Sequence, residues 1–347
     1  MNQPVDSHPL RGGLVGFGKV AEMAHLPALD NLPHFRLAAV ADPLETRRAR
    51  ARELLPGVRL YAEAEALLAE AAPLDFVAVL SPPETHAALV QTALQAGCHV
   101  LCEKPLTLDL HPLRALGEAA AAGNRALVTV HNWKHAPLYQ AALAEVRAGR
   151  VGRVREIVWE VHRTPGSGGG LTNWRQTGGA ATGGILVDHG WHAFYLVLGV
   201  AGEVPEAVRA LLQPAPEQPE GVEHEAEVEL SFPGGVRGRL FLTWRAPERR
   251  NIGRIAGEAG ELLLLDDHLL CRRAGENRIL ARFGEKLSGG SHHPEWTRGS
   301  WEEFTLEIRH PDLRGRNLAE AAHCARLITL AYRSHQGGGI WLTYPPA

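Results

Sequence analysis

The sequence predicts an α/β protein in two parts, a doubly wound parallel sheet over residues 11–130 and an α+β domain on a largely antiparallel sheet over residues 131–347. In the first third, short apolar runs alternate with alanine-rich amphipathic stretches, as expected for strands buried on both faces and the helices that cover them. After about residue 131 apolar and polar residues alternate singly, the period of a sheet with one open face. The length of 347 residues also suffices for two cores, at roughly 150 residues per domain.

Taken in order, residues 1–10 read as a flexible tail without the apolar segment of a signal peptide. GGLVGFG and RLAAVAD are strand-like, each followed by a helical stretch, KVAEMAHLPALDNL and PLETRRARARELL. A short strand around residues 58–60 and a helix over 62–71 lead to the buried run DFVAVLS. THAALVQTALQAG is helical, CHVLCEK a strand, 108–122 a helix, and ALVTVHN closes the series. Beyond it, VREIVWEVH alternates, and AEVELSF and GRLFLTW flank the turn residues Pro233, Gly234 and Gly235, which signals an antiparallel hairpin. RIAGEAGELLLL and HLLCRR continue the strands, PGSGGG and PAPEQPEG read as surface connections, and NLAEAAHCARLITLAYRSHQ is a helix.

Composition narrows the function. A net charge of −3 and 32 arginines scattered without a basic run give no electrostatic reason to expect a nucleic acid partner. No apolar stretch reaches the roughly 18–20 residues that span a bilayer, and the protein is expected to be cytoplasmic. Cys98, His99 and Cys102 resemble metal spacing, but they sit in an apolar run with no second ligand cluster; buried thiols are expected there, and no metal.

The first strand runs into Gly16-Phe17-Gly18-Lys19-Val20-Ala21, a G-x-G-x-x-A fingerprint. Gly16 permits the tight turn, Gly18 lets backbone approach a pyrophosphate, and Ala21 lets the helix pack closely on the strand. Phosphates would meet free N–H groups at the helix start. Asp42 ends the second strand, 24 residues after Gly18, where a carboxylate accepts from ribose hydroxyls and repels a 2′-phosphate. The reading is a Rossmann domain for NAD, with NADP admitted by the nearby Arg47 and Arg48. Asp42 could instead simply cap the following helix.

Lys104 ends a buried strand at the carboxyl edge of the sheet, where ligands bind in open α/β folds. It is one of only four lysines, and an amine in an apolar cleft can exchange a proton where a guanidinium cannot. The bland alternative is a surface lysine. Asp188 and His192 stand at i and i+4, so a helix would project both from one face. A histidine near a carboxylate suits the proton lost when an alcohol loses hydride; His189 and Trp191 point to other faces.

GFGKVA, SPPETH at 81–86, AGCHVLCEKPL at 97–106 and GGILVDHGWH at 183–192, in that order, resemble the Gfo/Idh/MocA family. The resemblance covers nearly the whole chain, is specific for the family and is nearly silent on substrate. It implies that Lys104 holds the substrate hydroxyl and shares proton transfer, that the bond to Pro105 is cis, that His192 is the acid/base and that Asp188 orients it or the substrate. It further implies Ser81, Pro82 and His86 near the nicotinamide, and Glu103 accepting from cofactor ribose, against a plain surface charge. Lys134 stands where arginine is commoner in the family, and Asn173, Trp174 and Arg175 are substrate candidates or ordinary packing. Tyr195 departs from the aspartate many relatives carry.

The expected activity is an NAD(P)-dependent dehydrogenase acting on a secondary alcohol of a sugar, cyclitol or related polyol, assembled as a homodimer or homotetramer. Two alternatives stay open: an enzyme that retains NAD through a redox-neutral glycosidase or transfer cycle, and a non-catalytic NAD-binding regulator.

Overall fold

The structure, a computed structural model, describes residues 8–166, 183–217 and 221–345. It divides into two compact units, residues 1–132 with 292–321, and residues 133–291 with 322–347.

In the first unit, strands β1 (Leu10–Val15), β2 (Phe35–Ala41), β3 (Arg59–Tyr61), β4 (Phe76–Val79), β5 (His99–Cys102) and β6 (Leu127–Thr129) form one parallel sheet in the order β3-β2-β1-β4-β5-β6. The order reverses between β1 and β4, and such a switch point opens a crevice at the strands' carboxyl ends. Each expected strand is present. β4 is buried at every position, as a strand covered on both faces must be.

One boundary differs from expectation. Residues 292–321, read as part of the second domain, belong to the first unit. The reason is aromatic packing. Trp301 and Phe304, on the helix Pro294–Arg309, are both 0% exposed within the core that also holds Leu14, Phe76 and Val128. The Trp301 ring lies 4.9 Å from Phe35 and 5.6 Å from Phe76, edge to face in both cases. Burial of two such rings contributes several kcal/mol, at roughly 25 cal/mol per Å².

The second unit holds a nine-stranded sheet. Its strands are β7 (Val154–His162), β8 (Ala207–Pro214), β9 (Glu223–Ser231), β10 (Arg237–Thr243), β11 (Arg250–Gly257), β12 (Gly260–Leu265), β13 (His268–Arg273), β14 (Glu276–Arg282) and β15 (Leu342–Thr343). Their order is β14-β13-β12-β11-β7-β10-β9-β8-β15, antiparallel except for the parallel pair β7–β10. The expected hairpin of β9 and β10 is present, with Gly234 and Gly235 both at positive φ in its turn. Alternation on β7 buries Ile157, Trp159 and Val161 on one face. Among the described residues, no helix is long and apolar enough to cross a membrane.

Candidate functional site

The glycine loop follows β1 directly. Gly16 sits at φ +91, and a Cβ there would stand 2.7 Å from the Ser81 nitrogen, so only glycine fits between the loop after β1 and the loop after β4. A Cβ on Gly18 would meet nothing within 4 Å, which leaves open space at the start of the helical run Ala21–His25 and Leu26–Leu29. Ala21 is fully buried, as close helix–sheet packing requires. The open backbone, the free helix start and the absence of bulk fit a pyrophosphate. Lys19 is exposed and Val20 half-buried on that first turn.

Asp42 does more than either reading proposed for it. Its Oδ2 accepts from the Phe17 nitrogen at 2.7 Å, which ties the glycine loop to the end of β2. Its Oδ1 accepts from the Leu44 nitrogen at 2.9 Å, just ahead of the helix Glu45–Leu54. Each carboxylate oxygen keeps a second lone pair, so ribose hydroxyls remain compatible. Arg48 donates to the backbone oxygens of Asp42 and Pro43 at 2.6 and 2.8 Å and pairs with Glu45, so its guanidinium is already engaged.

Ser81 and Pro82 form the turn before the helix Pro83–Gln95. His86, on that helix, is fully buried, with Nδ1 2.8 Å from the Pro105 oxygen and Nε2 2.8 Å from the Ser81 oxygen. Burial pulls the ring toward its neutral form, while two carbonyl oxygens, each best met by an N–H, pull toward the imidazolium. The ring therefore joins the loop after β4 to the loop after β5, and is itself enclosed by protein. The Lys104–Pro105 bond is cis.

Glu103 likewise turns inward. Its Oε1 meets His25 Nε2 at 2.9 Å, and its Oε2 accepts from the Lys104 nitrogen at 3.1 Å. Burial alone would raise this carboxyl. The His25 hydrogen bond, the Lys104 charge and the Lys104 N–H together hold it below the usual carboxylate range. Trp301 donates its indole N–H to His25 Nδ1. The indole leaves His25 its proton on Nε2, facing Glu103. Lys104 itself is half-buried at the end of β5.

The cysteines beside it are buried. Burial pushes the Cys98 thiol to about 11, and His99 Nδ1 accepts from the Ala126 nitrogen.

In the second unit, Asp188 lies in the π-helical turn Leu186–Gly190, and His192 in the helix Trp191–Ala201 that continues it. Both are buried. Widened turns of this kind recur at functional positions. Oδ2 of Asp188 is 3.6 Å from His189 Nε2. His192 Nδ1 is 2.7 Å from the Tyr195 hydroxyl, whose oxygen accepts from the Trp133 nitrogen at 3.0 Å. The Trp133 indole stacks on His192 with centroids 4.5 Å apart and planes 12° apart, and the Arg163 guanidinium lies over Trp133 at 5.6 Å. Beneath the turn, the buried Glu223 accepts from the Leu186 nitrogen and the Tyr332 hydroxyl, both at 2.9 Å. Burial raises Glu223 to about 7. Lys134 is half-buried in the short turn after Trp133. Asn173, Trp174 and Arg175 lie outside the described residues.

Sequence reasoning missed Trp133, Arg163, His25, Trp301 and Glu223. Only a spatial neighbour gives each of them its role, so no local pattern could have marked them.

Residues 10–142 match the profile of the oxidoreductase family with an NAD-binding Rossmann fold, and residues 139–263 match the GFO/IDH/MocA C-terminal domain. The chain is 41% identical over 112 residues to galactose 1-dehydrogenase of Pseudomonas fluorescens, a stretch covering 32% of each chain. It is 31% identical over 206 residues to inositol 2-dehydrogenase of Rhizobium meliloti, covering 58% of each. The chain thus spans between a third and three fifths of these two relatives. Its fold is similar to that of an inositol dehydrogenase homolog from Azotobacter vinelandii solved with NAD+, with TM-score 0.82, 22% identity, and 97% and 98% of the two chains covered. With the glycine loop on β1, the Glu103-Lys104-Pro105 turn on β5 and both domain profiles in sequence order, the chain belongs to the Gfo/Idh/MocA family of oxidoreductases, and its first domain is that family's NAD-binding Rossmann domain.

Proposed function

We propose that the protein is an NAD-dependent dehydrogenase that moves hydride between a secondary alcohol of a sugar, cyclitol or related polyol and the nicotinamide. The observation that carries this reading is Lys104, held by Glu103 and the His86 bridge at the carboxyl end of β5, beside a glycine loop built for pyrophosphate. The relatives named galactose 1-dehydrogenase and inositol 2-dehydrogenase support the substrate class.

Bound NAD supplies the hydride acceptor. The chain's own residues position the alcohol and manage its proton. His192 is the acid/base group, since Tyr195 engages Nδ1 and the ring is a neutral-pH proton acceptor. Lys104 donates to the substrate oxygen, and Asp188 supplies a carboxylate on the same helical segment as His192. Lys134 and the stretch Asn173, Trp174 and Arg175 are proposed to contact substrate. Asp42 accepts from the adenosine ribose and disfavours a 2′-phosphate, which favours NAD over NADP.

A homodimer or homotetramer is part of the same reading. Val158, Leu263, Leu270 and Ile279 lie in register on the outer face of the second sheet and are at most partly buried. Reduction of NAD and NADP is to be measured over sugars, sugar acids, inositols and aminocyclitols. Turnover of at least one, lost in Lys104→Met, is the expected result. Cofactor binding without turnover of any of them would sink the reading.

A further inference from the structure

Arg163 is a buried cation whose role the proposed chemistry does not use. It follows β7 and is 2% exposed, fixed by its own backbone hydrogen bonds with Thr243 and Ala246. Its Nη1 donates to the His162 oxygen and Asn251 Oδ1, at 2.8 and 2.9 Å, and more distantly to the Arg250 oxygen at 3.4 Å. Every one of these acceptors is neutral. Nε is buried without an acceptor among the described residues, and none of them bonds Nη2. Among the described residues one edge of the guanidinium, Nε with Nη2, therefore has no acceptor, although burying an unpaired charge costs several kcal/mol.

A second arginine stands near it. Arg249 donates to the Ser288 and Gly290 oxygens, at 3.3 and 2.6 Å, and these are neutral as well. Among the described residues, the acids within electrostatic range of the pair are Asp188 and Asp266. Among the described residues neither carboxylate pairs directly with either arginine. Asp266 accepts instead from the Ser288 nitrogen and hydroxyl, at 2.9 and 2.7 Å. Burial, then the Arg249 charge, presses Arg163 down to about 9, so an anion at its unpaired edge would relieve both. Trp133 links the cation to the proposed chemistry, because the Arg163 guanidinium lies over its ring and the same ring stacks on His192.

We propose that Arg163, supported by Arg249, is an anion subsite that shares the Trp133 ring with His192, and that the substrate is a polyhydroxy compound carrying a carboxylate. The two parallel N–H groups of a guanidinium edge match the two oxygens of a planar carboxylate. Asp188 and Asp266 act on both arginines, and their negative charge disfavours the double charge of a phosphate monoester more than the single charge of a carboxylate. This inference rests on the dehydrogenase reading and names its substrate class.

The test compares kcat/KM for NAD reduction with D-gluconate and D-glucuronate against D-glucose and myo-inositol, in the wild type, Arg163→Gln and Arg249→Gln. A charge-assisted hydrogen bond of about 2 kcal/mol corresponds to roughly 30-fold. The acids are expected to be favoured by about that factor, and Arg163→Gln to collapse the acid-to-neutral ratio. Circular dichroism checks folding, and if Arg163→Gln does not fold, Arg249→Gln supplies the comparison through a smaller fall in the same ratio. Turnover of neutral polyols at least as good as of acids, with the ratio insensitive to both substitutions, overturns the subsite and leaves the dehydrogenase standing. A preference for glucose 6-phosphate over glucuronate overturns the carboxylate assignment. If nothing reduces NAD, the dehydrogenase reading fails, and calorimetry with D-gluconate judges the subsite alone. Binding by wild type that Arg163→Gln or, should that not fold, Arg249→Gln weakens supports it, and no binding overturns it.

Discussion

The indole N–H of Trp301 is donated to Nδ1 of His25 at 3.1 Å, between residues 276 positions apart. That bond selects the tautomer whose Nε2–H faces Glu103, and Glu103 in turn accepts from the Lys104 nitrogen. Trp301→Phe keeps an aromatic ring and deletes the donor. It is expected to destabilise the protein by about 1–3 kcal/mol, the cost of an unmet buried acceptor, read as a lower urea midpoint. A fall in kcat larger than the rise in NAD KM is also expected, since the disturbed group holds Lys104. An unchanged midpoint and unchanged kcat would show that the line from Trp301 to Lys104 has no consequence.

Glu223 gives a pH dependence of opposite sign to that of an ordinary salt-bridged acid. Its folded value is raised to about 7 by burial, so its favourable contribution is complete below the unfolded carboxylate value. That contribution is lost as pH rises toward and through 7. Glu223→Gln keeps an oxygen for the Leu186 N–H and removes the ionisation. The variant is expected to flatten the fall in melting temperature between about pH 5 and 8 and to gain on the order of 2 kcal/mol over wild type at pH 8. Parallel melting curves for the two proteins across that range would refute the assignment.

Tyr195 engages His192 without a charge. Removing the hydroxyl with Tyr195→Phe frees Nδ1 and also strips the Trp133 nitrogen of its acceptor. A loss of roughly 10- to 100-fold in kcat is expected, a part of the roughly 10²- to 10⁴-fold that general acid–base catalysis supplies. The limb of the pH–rate profile that belongs to His192 should shift, which simple loosening of the helix would not produce. Tyr195→Asp, which restores an oxygen and adds charge, is expected to move that limb upward in pH.

Asp42→Ala is expected to weaken NAD far more than NADP, by at least roughly tenfold in the ratio of their KM values. Because Asp42 also holds the Phe17 and Leu44 nitrogens, the variant should lose about 1–2 kcal/mol of stability as well. Equal losses for both cofactors would remove the ribose role and leave only the tie between the loop and the helix.

The strands of the first sheet were legible because covering both faces forces runs such as FVAV to be wholly apolar, a requirement visible in one dimension. Gly16 was legible for a similar reason, since a positive φ pressed against Ser81 admits glycine alone. The helix Pro294–Arg309 escaped because its charged residues Arg298, Glu302 and Glu303 dilute the signal of Trp301 and Phe304, whose partners Phe35 and Phe76 lie far away in sequence. β14 escaped as an edge strand, with most of its positions exposed and no alternation to read. Of the residues proposed for the chemistry, Lys104, Asp188 and His192 carried a motif, whereas the groups that hold His192 and Lys104 did not. His86 and Glu103 were visible, but the sequence could not tell that they turn into the protein, because that depends on the Pro105 oxygen and on His25.

The division of the first unit into residues 1–132 and 292–321 has a consequence for the order in which the protein takes shape during synthesis. A ribosome that has released residue 132 has made every strand of the cofactor sheet but not the helix that seals Phe35 and Phe76. All of the strands β7–β14 must emerge first. The domain encoded first is therefore completed after most of the second has been translated, and until then its aromatic seam stands open to chaperones and proteases.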